Sequence, residues 1–510
     1  MKRKIIYIPL DERPCNYEFP QKLVQGSGIQ LVVPPMALMG QKKTAGQINK
    51  LWEWLEKEGA DADGAILAMD TLLYGGIVPS RLHEDTLSKI QARINRLKTW
   101  KQGLPNLKLY TFQLIMRCPK YNSNDEEPNY YELWGEDIFK SGYLGHRVQL
   151  GYADEAEKQE LAVIYDRLPA GVRRDYLERR HINMEANLSF LHVVKEEIVD
   201  FHIIPQDDSA PFGLTAIDQQ RIRDEIRKQG LELQVYMYPG ADEVGSTLLA
   251  RMVNHFAERT PAIYPRLASV QGPYLTPLYE DRAFYESLKY QILAAGGMLV
   301  ESVLEADLVL LVNTPGETML EAAEQLTTTA GMNVSRNIVE LVEYGRYASR
   351  KYKLPIAVAD VAFANGADLQ LLDILRRAGY LFDLAGYAGW NTSSNTLGTV
   401  IAQSMLFTIF GETEAHRNFL ALRFVEDAGY CSKVRKEVTE GLVRELGYTY
   451  FSVDGQRGQI AGKVQERLEQ FIRDHLSIDE YRITIQDCLL PWNRMFEVGL
   501  TIEVVRSEEA

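Results

Sequence analysis

Short runs of β-branched and aromatic residues recur along the chain, separated by stretches with apolar positions every three or four residues. The runs at 4–10, 30–34, 64–69, 107–116, 200–205 and 233–238 read as strands. Between them lie amphipathic pieces such as TAGQINKLWEWLEKEG, LSKIQARINRLKTWKQG and AIDQQRIRDEIRKQG. Alternation of the two periods predicts βαβ units and a mostly parallel sheet. From 260 to 345 the rhythm is less regular, with strand candidates in RLASVQG and ADLVLLVN. Two further strands follow at 355–363 and 381–389, then helical patterns over 400–480 and a strand pair in YRITIQDC and FEVGLTIEVV.

The first six strands and those at 355 and 381 make the eight of a TIM barrel. The expected fold class is therefore α/β: a TIM-type (β/α)8 barrel with a small α/β insertion and a mainly helical C-terminal region. Residues 1–259 would hold barrel strands one to six, 260–345 the insertion, and 346–400 strands seven and eight. Residues 401–510 would form the helical C-terminal domain with its strand pair. The alternative is two consecutive open α/β domains dividing near residue 260.

Candidate chemistry follows the strands. After the first comes PLDERPCN, with Asp11, Arg13 and Asn16, and after the third MDTLLYGG, with Asp70 and Tyr74. The fourth leads to Arg117, the fifth to Asp207 and Asp208 in PQDDSAPFG, and the sixth to Asp242 and Glu243 in YPGADEVG. The last two lead to Asp360 and to Trp390 and Asn391 in AGWNTSSNTLG. Carboxyl ends of parallel strands share one rim, so these side chains are expected around one bowl, with Trp390 as a platform for a ligand. The long polar and aromatic loop CPKYNSNDEEPNYYELWGEDIF is expected to lie over it as a lid or wall. Taken singly, a post-strand Asp or Asn is more often a helix cap, and Arg13 and Arg117 read equally well as structural partners of the acids or as substrate contacts. The convergence carries the reading.

The 510 residues are 46% hydrophobic and 25% charged, as in ordinary soluble proteins, and no apolar run is long enough to span a membrane. The opening MKRKIIYIPLDERP meets Asp11, Glu12 and Arg13 too soon for a signal peptide and reads as a first strand. Four well-separated cysteines without metal spacing fit a reduced cytoplasm. A net charge of −14 with scattered basic residues disfavours nucleic acid and anionic membranes as partners, and the acid-rich bowl points to a small carbohydrate as the expected one. A homo-oligomer stays open.

Three chemistries fit an acid-rich bowl. Nucleotide-dependent chemistry needs a phosphate cradle, and neither GxGxxG nor GxxxxGK[ST] follows any strand. None of the eight histidines forms a pair at zinc spacing, so no metal site and no cofactor is assigned. Glycoside hydrolysis by two carboxyl groups with pKa values pushed apart is the first expectation. An oxygen-ligated Mg²⁺ or Mn²⁺ hydrolase or isomerase of a sugar or sugar phosphate is the second, and a non-catalytic carbohydrate-binding protein the third.

Together, PLDERPCN, MDTLLYGG, QDDSAPFG, YPGADEVG, YAGWNTSSNTLG and LPWNRMFEVG resemble a bacterial family known as domain of unknown function 4127, over nearly the whole chain. That resemblance implies no activity. Locally, GADEVG is similar to the Gly-x-Asp-Glu signature of family 20 β-N-acetylhexosaminidases. That similarity implies that Asp242 orients the substrate's 2-acetamido group and Glu243 donates the proton. Here Tyr238 and Pro239 stand where that family carries a histidine, and the match follows the sixth strand, not the fourth. The pair Asp207–Asp208 offers a second acid pair of the same kind.

Overall fold

The computed structural model describes residues 2–327 and 330–507. Six strands fall where the apolar runs predict them: β1 (Arg3–Ile8), β2 (Ile29–Val32), β3 (Gly64–Ala68), β4 (Lys108–Phe112), β5 (Phe201–Gln206) and β6 (Val235–Pro239). They form one parallel sheet in the order β2-β1-β3-β4-β5-β6. Strands β3 and β5 are buried at every position, which is why their sequences read as continuous apolar runs.

Seven more strands follow: β7 (Ala262–Leu267), β8 (Met298–Leu299), β9 (Leu308–Asn313), β10 (Leu320–Glu321), β11 (Ile356–Asp360), β12 (Phe363–Ala364) and β13 (Gly386–Ala388). Five of them make a second parallel sheet in the order β13-β11-β9-β7-β8, while β10 pairs with β12. In each sheet the chain runs first to an edge strand and then returns to the other side of its starting strand. The crevice at the carboxyl end of such a strand is a natural ligand site.

This arrangement corrects the barrel. The strands at 355 and 381 are β11 and β13, and β11 pairs with β9, so 260–345 is no insertion but supplies three strands of their sheet. The reason lies just past β6. There the chain enters the helix Val244–Phe256, which crosses back over the first sheet instead of leading to a seventh strand beside β6. Gly64 of β3 and Gly245 permit the crossing, since a Cβ on either would collide with Met252 or with the Tyr7 hydroxyl. Beside β6 the helix Phe284–Ala294 stacks Tyr290 on Tyr238, with ring centroids 5.9 Å apart. Helices occupy the edge a closing strand needs, and local periodicity holds no record of that.

The helix Ser393–Phe410 carries no charged residue and is buried from Ser393 to Leu406. It packs on the helices Val244–Phe256 and Phe284–Ala294 and on β11 and β13, joining the two sheets. The C-terminal region holds the expected helices, among them Glu414–Arg423 and Gln459–Phe471, and the antiparallel pair β14 (Tyr481–Leu489) and β15 (Gly499–Arg506). Among the described residues no helix is long and apolar enough to cross a membrane.

Candidate active site

The turn after β1 builds the first half of the site. Pro14 opens a one-turn helix, Pro14–Tyr17, whose preceding residue Arg13 makes no cap, leaving its guanidinium to the side chains around it. Asp11 accepts from Arg13 Nε (2.9 Å) and Nη2 (2.6 Å), and from Asn16 Nδ2 (3.0 Å). Arg13 reaches on to Asp242 Oδ1 (2.6 Å) and Oδ2 (3.3 Å) and to Glu497 Oε2 (3.2 Å). Asn16 Nδ2 also donates to Asp242 (3.0 Å), and the Asp242 backbone N–H donates to Asn395 Oδ1 (3.1 Å).

The loop between β14 and β15 covers this cluster. Trp492 stacks under the guanidinium groups of both Arg13 (4.6 Å) and Arg494 (4.5 Å). Its indole N–H donates to Glu12 Oε1 (2.6 Å). Arg494 bonds Asp125 (3.0 Å), Glu497 (3.0 Å) and Glu126.

Arg81 and Arg117 build the other half. Arg81 donates to Asp207 Oδ2 (2.7 Å) and Glu126 (2.9 Å), and Arg117 to Glu127 (2.9 Å), Glu126 (3.1 Å) and Asp208 (3.2 Å). Burial opposes the charge on Glu126, but Arg117, Arg494 and Arg81 hold its carboxyl well below the usual range. Burial and then the neighbouring Asp208 push Asp207 up to about 6, against the pull of Arg117 and Arg81. Asp11 rises to about 7, chiefly through burial, despite Arg13.

Between the halves lies a cavity of about 170 Å³. Its charged lining is Arg13, Arg81, Arg117, Arg494, Glu126, Asp207, Asp208 and Asp242, and its amides are Asn365, Asn391 and Asn395. Ile77, Ala241, Thr392 and the aromatic Tyr121, Tyr279, Phe451 and Phe496 complete it; Tyr121, Tyr279 and Phe451 stand 45%, 37% and 47% exposed, forming a rim. Four lining residues hold left-handed backbone: Asp208 (φ +42°), Tyr279 (+69°), Asn365 (+58°) and Asn391 (+50°). Such conformations cost free energy in non-glycine residues and gather at functional sites, so their concentration here singles out this cavity.

Of the residues expected from the sequence, Arg13, Arg117, Asp207, Asp208, Asp242 and Asn391 line the cavity, and Asp11 and Asn16 bond directly to those that do. Glu243 does not line it. Its carboxylate turns the other way, accepting from Gln291 Nε2 (2.8 Å) and the Ala241 N–H (2.9 Å), and burial raises it to about 8. Adjacent side chains leaving a strand diverge, and the glycine turn does not bring both into one pocket. Trp390 is core, not a platform: its ring meets Phe19 edge-on at 5.9 Å and its indole N–H donates to Thr399. Asp360 ends β11 in a separate buried network, accepting from Asn313 (2.9 Å), the Asp368 N–H (2.7 Å) and Tyr387 (3.1 Å). Asp70 and Tyr74 lie behind the cavity wall, lining a smaller chamber.

The loop after β4 does form a wall, through Tyr121 and Glu126, while its Trp134 belongs to an apolar cluster around Tyr131 and Tyr176. Sequence reasoning missed Arg81, Glu126, Tyr279, Phe451, Arg494, Phe496 and Glu497. The one signal for the last group was PWNRMFE, an aromatic, basic and acidic tip between two strand patterns.

Fold and site define an α/β protein with two open parallel sheets and an enclosed cavity of interleaved arginines and carboxylates at their carboxyl ends. The chain belongs to the DUF4127 family of proteins of unknown function, whose family model matches residues 5–501. No curated protein matches the chain.

Proposed function

We propose that the cavity is the active site of a glycoside hydrolase that works by carboxyl general acid/base chemistry, with Asp207 as proton donor. The observation that supports it is a carboxyl pair, Asp207 and Asp208, opening into one cavity, with Asp207 raised to about 6. A carboxyl near that value holds a proton in mildly acidic solution and gives it readily to a leaving oxygen. Asp208 is the more open of the two, its side chain 27% exposed against 18%, and it faces the developing positive charge of the sugar. On an N-acetylhexosamine, Asp208 orients the 2-acetamido group for attack on the anomeric carbon, the part that the similarity of GADEVG to the family 20 signature implies for Asp242. Asp242, held by Arg13, Asn16 and Asn391, binds sugar hydroxyls with the cavity amides.

The aromatic rim suits the flat C–H face of a sugar ring. A cavity of 170 Å³ is smaller than a drug-sized pocket of roughly 300 Å³ and takes one ring, with the next against the rim. The oxygen-ligated metal reading fares less well on donor spacing. Arginines stand between the carboxylates, and among the described residues no group of three or more His, Cys, Asp or Glu is placed to hold a metal ion.

The test is turnover on a panel of aryl and natural glycosides, with and without chelator. Hydrolysis that survives chelator and is lost in Asp207→Asn supports the reading. Activity lost with chelator and restored by Mg²⁺ or Mn²⁺ moves the protein to the metal class, and binding without turnover makes it a carbohydrate-binding protein.

A further inference from the structure

Behind the wall formed by Ile77, Arg81, Arg117 and Asp207 lies a second chamber, which shares those four residues with the main cavity. About 10 Å³ of it is open to the centre of a water molecule, room for one. Its lining includes Asp70, Tyr74 and Gln113, which are 3%, 2% and 1% exposed. The Tyr74 hydroxyl and Gln113 Oε1 are buried and have no hydrogen-bond partner in the protein. A buried polar group left unmet forfeits its hydrogen bond to water, so a polar chamber of this size between two of them calls for a bridging molecule.

We infer that the chamber holds one structural water that joins Asp70 to Asp207, making Asp70 a positioning residue for the acid of the main cavity. The stoichiometry closes. The water accepts from the Tyr74 hydroxyl and donates to Gln113 Oε1, which uses one lone pair and one hydrogen. Its remaining lone pair and hydrogen face the two carboxyls, so it accepts from whichever is protonated and donates to the other. A proton passes without charge separation in bulk solvent. The O–H bond at Asp70 breaks as the water takes that proton, and an O–H of the water breaks as Asp207 takes its proton. Water is regenerated and Asp70 is left as carboxylate.

The surroundings favour one shared proton. Asp70 accepts from the Leu114 N–H (3.0 Å) and faces Tyr74 and Arg81, and burial lifts it to about 7. Asp207 faces Arg81, Arg117, Asp208 and Asp242, and stands about one unit lower. Two carboxyls joined by one water feel each other's charge through it, so the titration of one shifts the other. Asp70 then refills Asp207 from the dry side while the cavity is closed by substrate. That catalytic consequence rests on Asp207 being the acid; the water and the coupling do not.

The experiment uses the intact protein without substrate. A crystal structure at about 1.5 Å should show a single ordered water bonded to Tyr74 and Gln113, and an empty chamber overturns the inference. Selective 13Cγ-aspartate labelling should show the Asp207 resonance responding to the titration of Asp70, and Asp70→Asn should remove that response while leaving the step that Asp207 shares with Asp208. Gln113→Leu, which removes the acceptor at nearly unchanged side-chain volume, should do the same and guards against a poorly folded Asp70 variant. An Asp207 response to the titration of Asp70 that persists unchanged in Gln113→Leu overturns the coupling. Because these readouts need no turnover, a failed glycosidase assay leaves them standing, and their failure leaves the glycosidase reading to its own test.

Discussion

Arg13 and Asp242, 229 residues apart in sequence, meet in a two-point ion pair of 2.6 and 3.3 Å that is all but closed to solvent. The same guanidinium serves Asp11 and Glu497, so one side chain neutralises carboxylates from three segments of the chain. Arg13→Ala leaves buried carboxylates without a counter-charge and is expected to cost about 3–5 kcal/mol of unfolding free energy. Urea unfolding of the variant measures it. Arg13→Lys keeps the charge but loses the planar fork, and should recover only part of the loss.

Asp207→Asn is expected to cut turnover about a hundredfold or more without loss of fold, because it removes the transferable proton and keeps the shape. The acid must carry its proton to act, so kcat should fall as pH rises through about 6. A pH–rate profile that rises through that region assigns Asp207 to a base.

Glu243→Gln should leave turnover within a few-fold of the parent protein, since Glu243 bonds Gln291 and the Ala241 N–H outside the cavity. Loss as severe as that of Asp207→Asn on the same substrate would return Glu243 to the mechanism. The local likeness to the hexosaminidase signature would then outweigh the observed orientation.

Through its buried carboxyls the protein's stability should decline as pH rises from about 4 to about 8. Burial raises Asp70, Asp11 and Asp360 to about 7 and Glu243 and Asp427 to about 8, while unfolded carboxyls titrate near 4. Between those values the folded chain holds protons that the unfolded chain has released. The contribution of these groups is therefore full below about 4 and lost as pH passes through about 7 to 8. Glu126, held low by its arginines, works in the opposite sense at the acid end. Denaturant unfolding across this range checks the slope, and Glu243→Gln should flatten it; stability that climbs towards pH 8 would contradict the prediction.

Phe451→Ala and Tyr121→Ala should raise KM for an oligosaccharide by up to about tenfold and change kcat less, since stacked aromatic contacts contribute about 0.5–1.5 kcal/mol. Both side chains are half exposed, so melting temperatures should barely move.

What the sequence reveals here is whatever lies next to a strand in the chain. The six strands of the first sheet, and Arg13, Asp207 and Asp242 at their ends, are legible because strand period and post-strand loops are local signals. Sheet closure is not local: β6 meets helices instead of a seventh strand because of where Val244–Phe256 crosses, a matter of Met252 finding Gly64. Trp390 reads as a loop residue, yet Phe19 and Arg423, far away in sequence, fix it in the core. Arg494 and Glu497 were hidden for the same reason, since nothing near them announces that their loop returns to β1.

That return gives the site a direction in time. During synthesis Asp11, Arg13 and Asp242 can meet once the first half of the chain has emerged, but Trp492, Arg494 and Glu497 are then still hundreds of residues from the exit. The arginine network can be assembled early and sealed only late. A nascent chain must carry a half-neutralised, open cavity until the loop between β14 and β15 arrives, so the cavity is complete only in a chain that has grown past that loop.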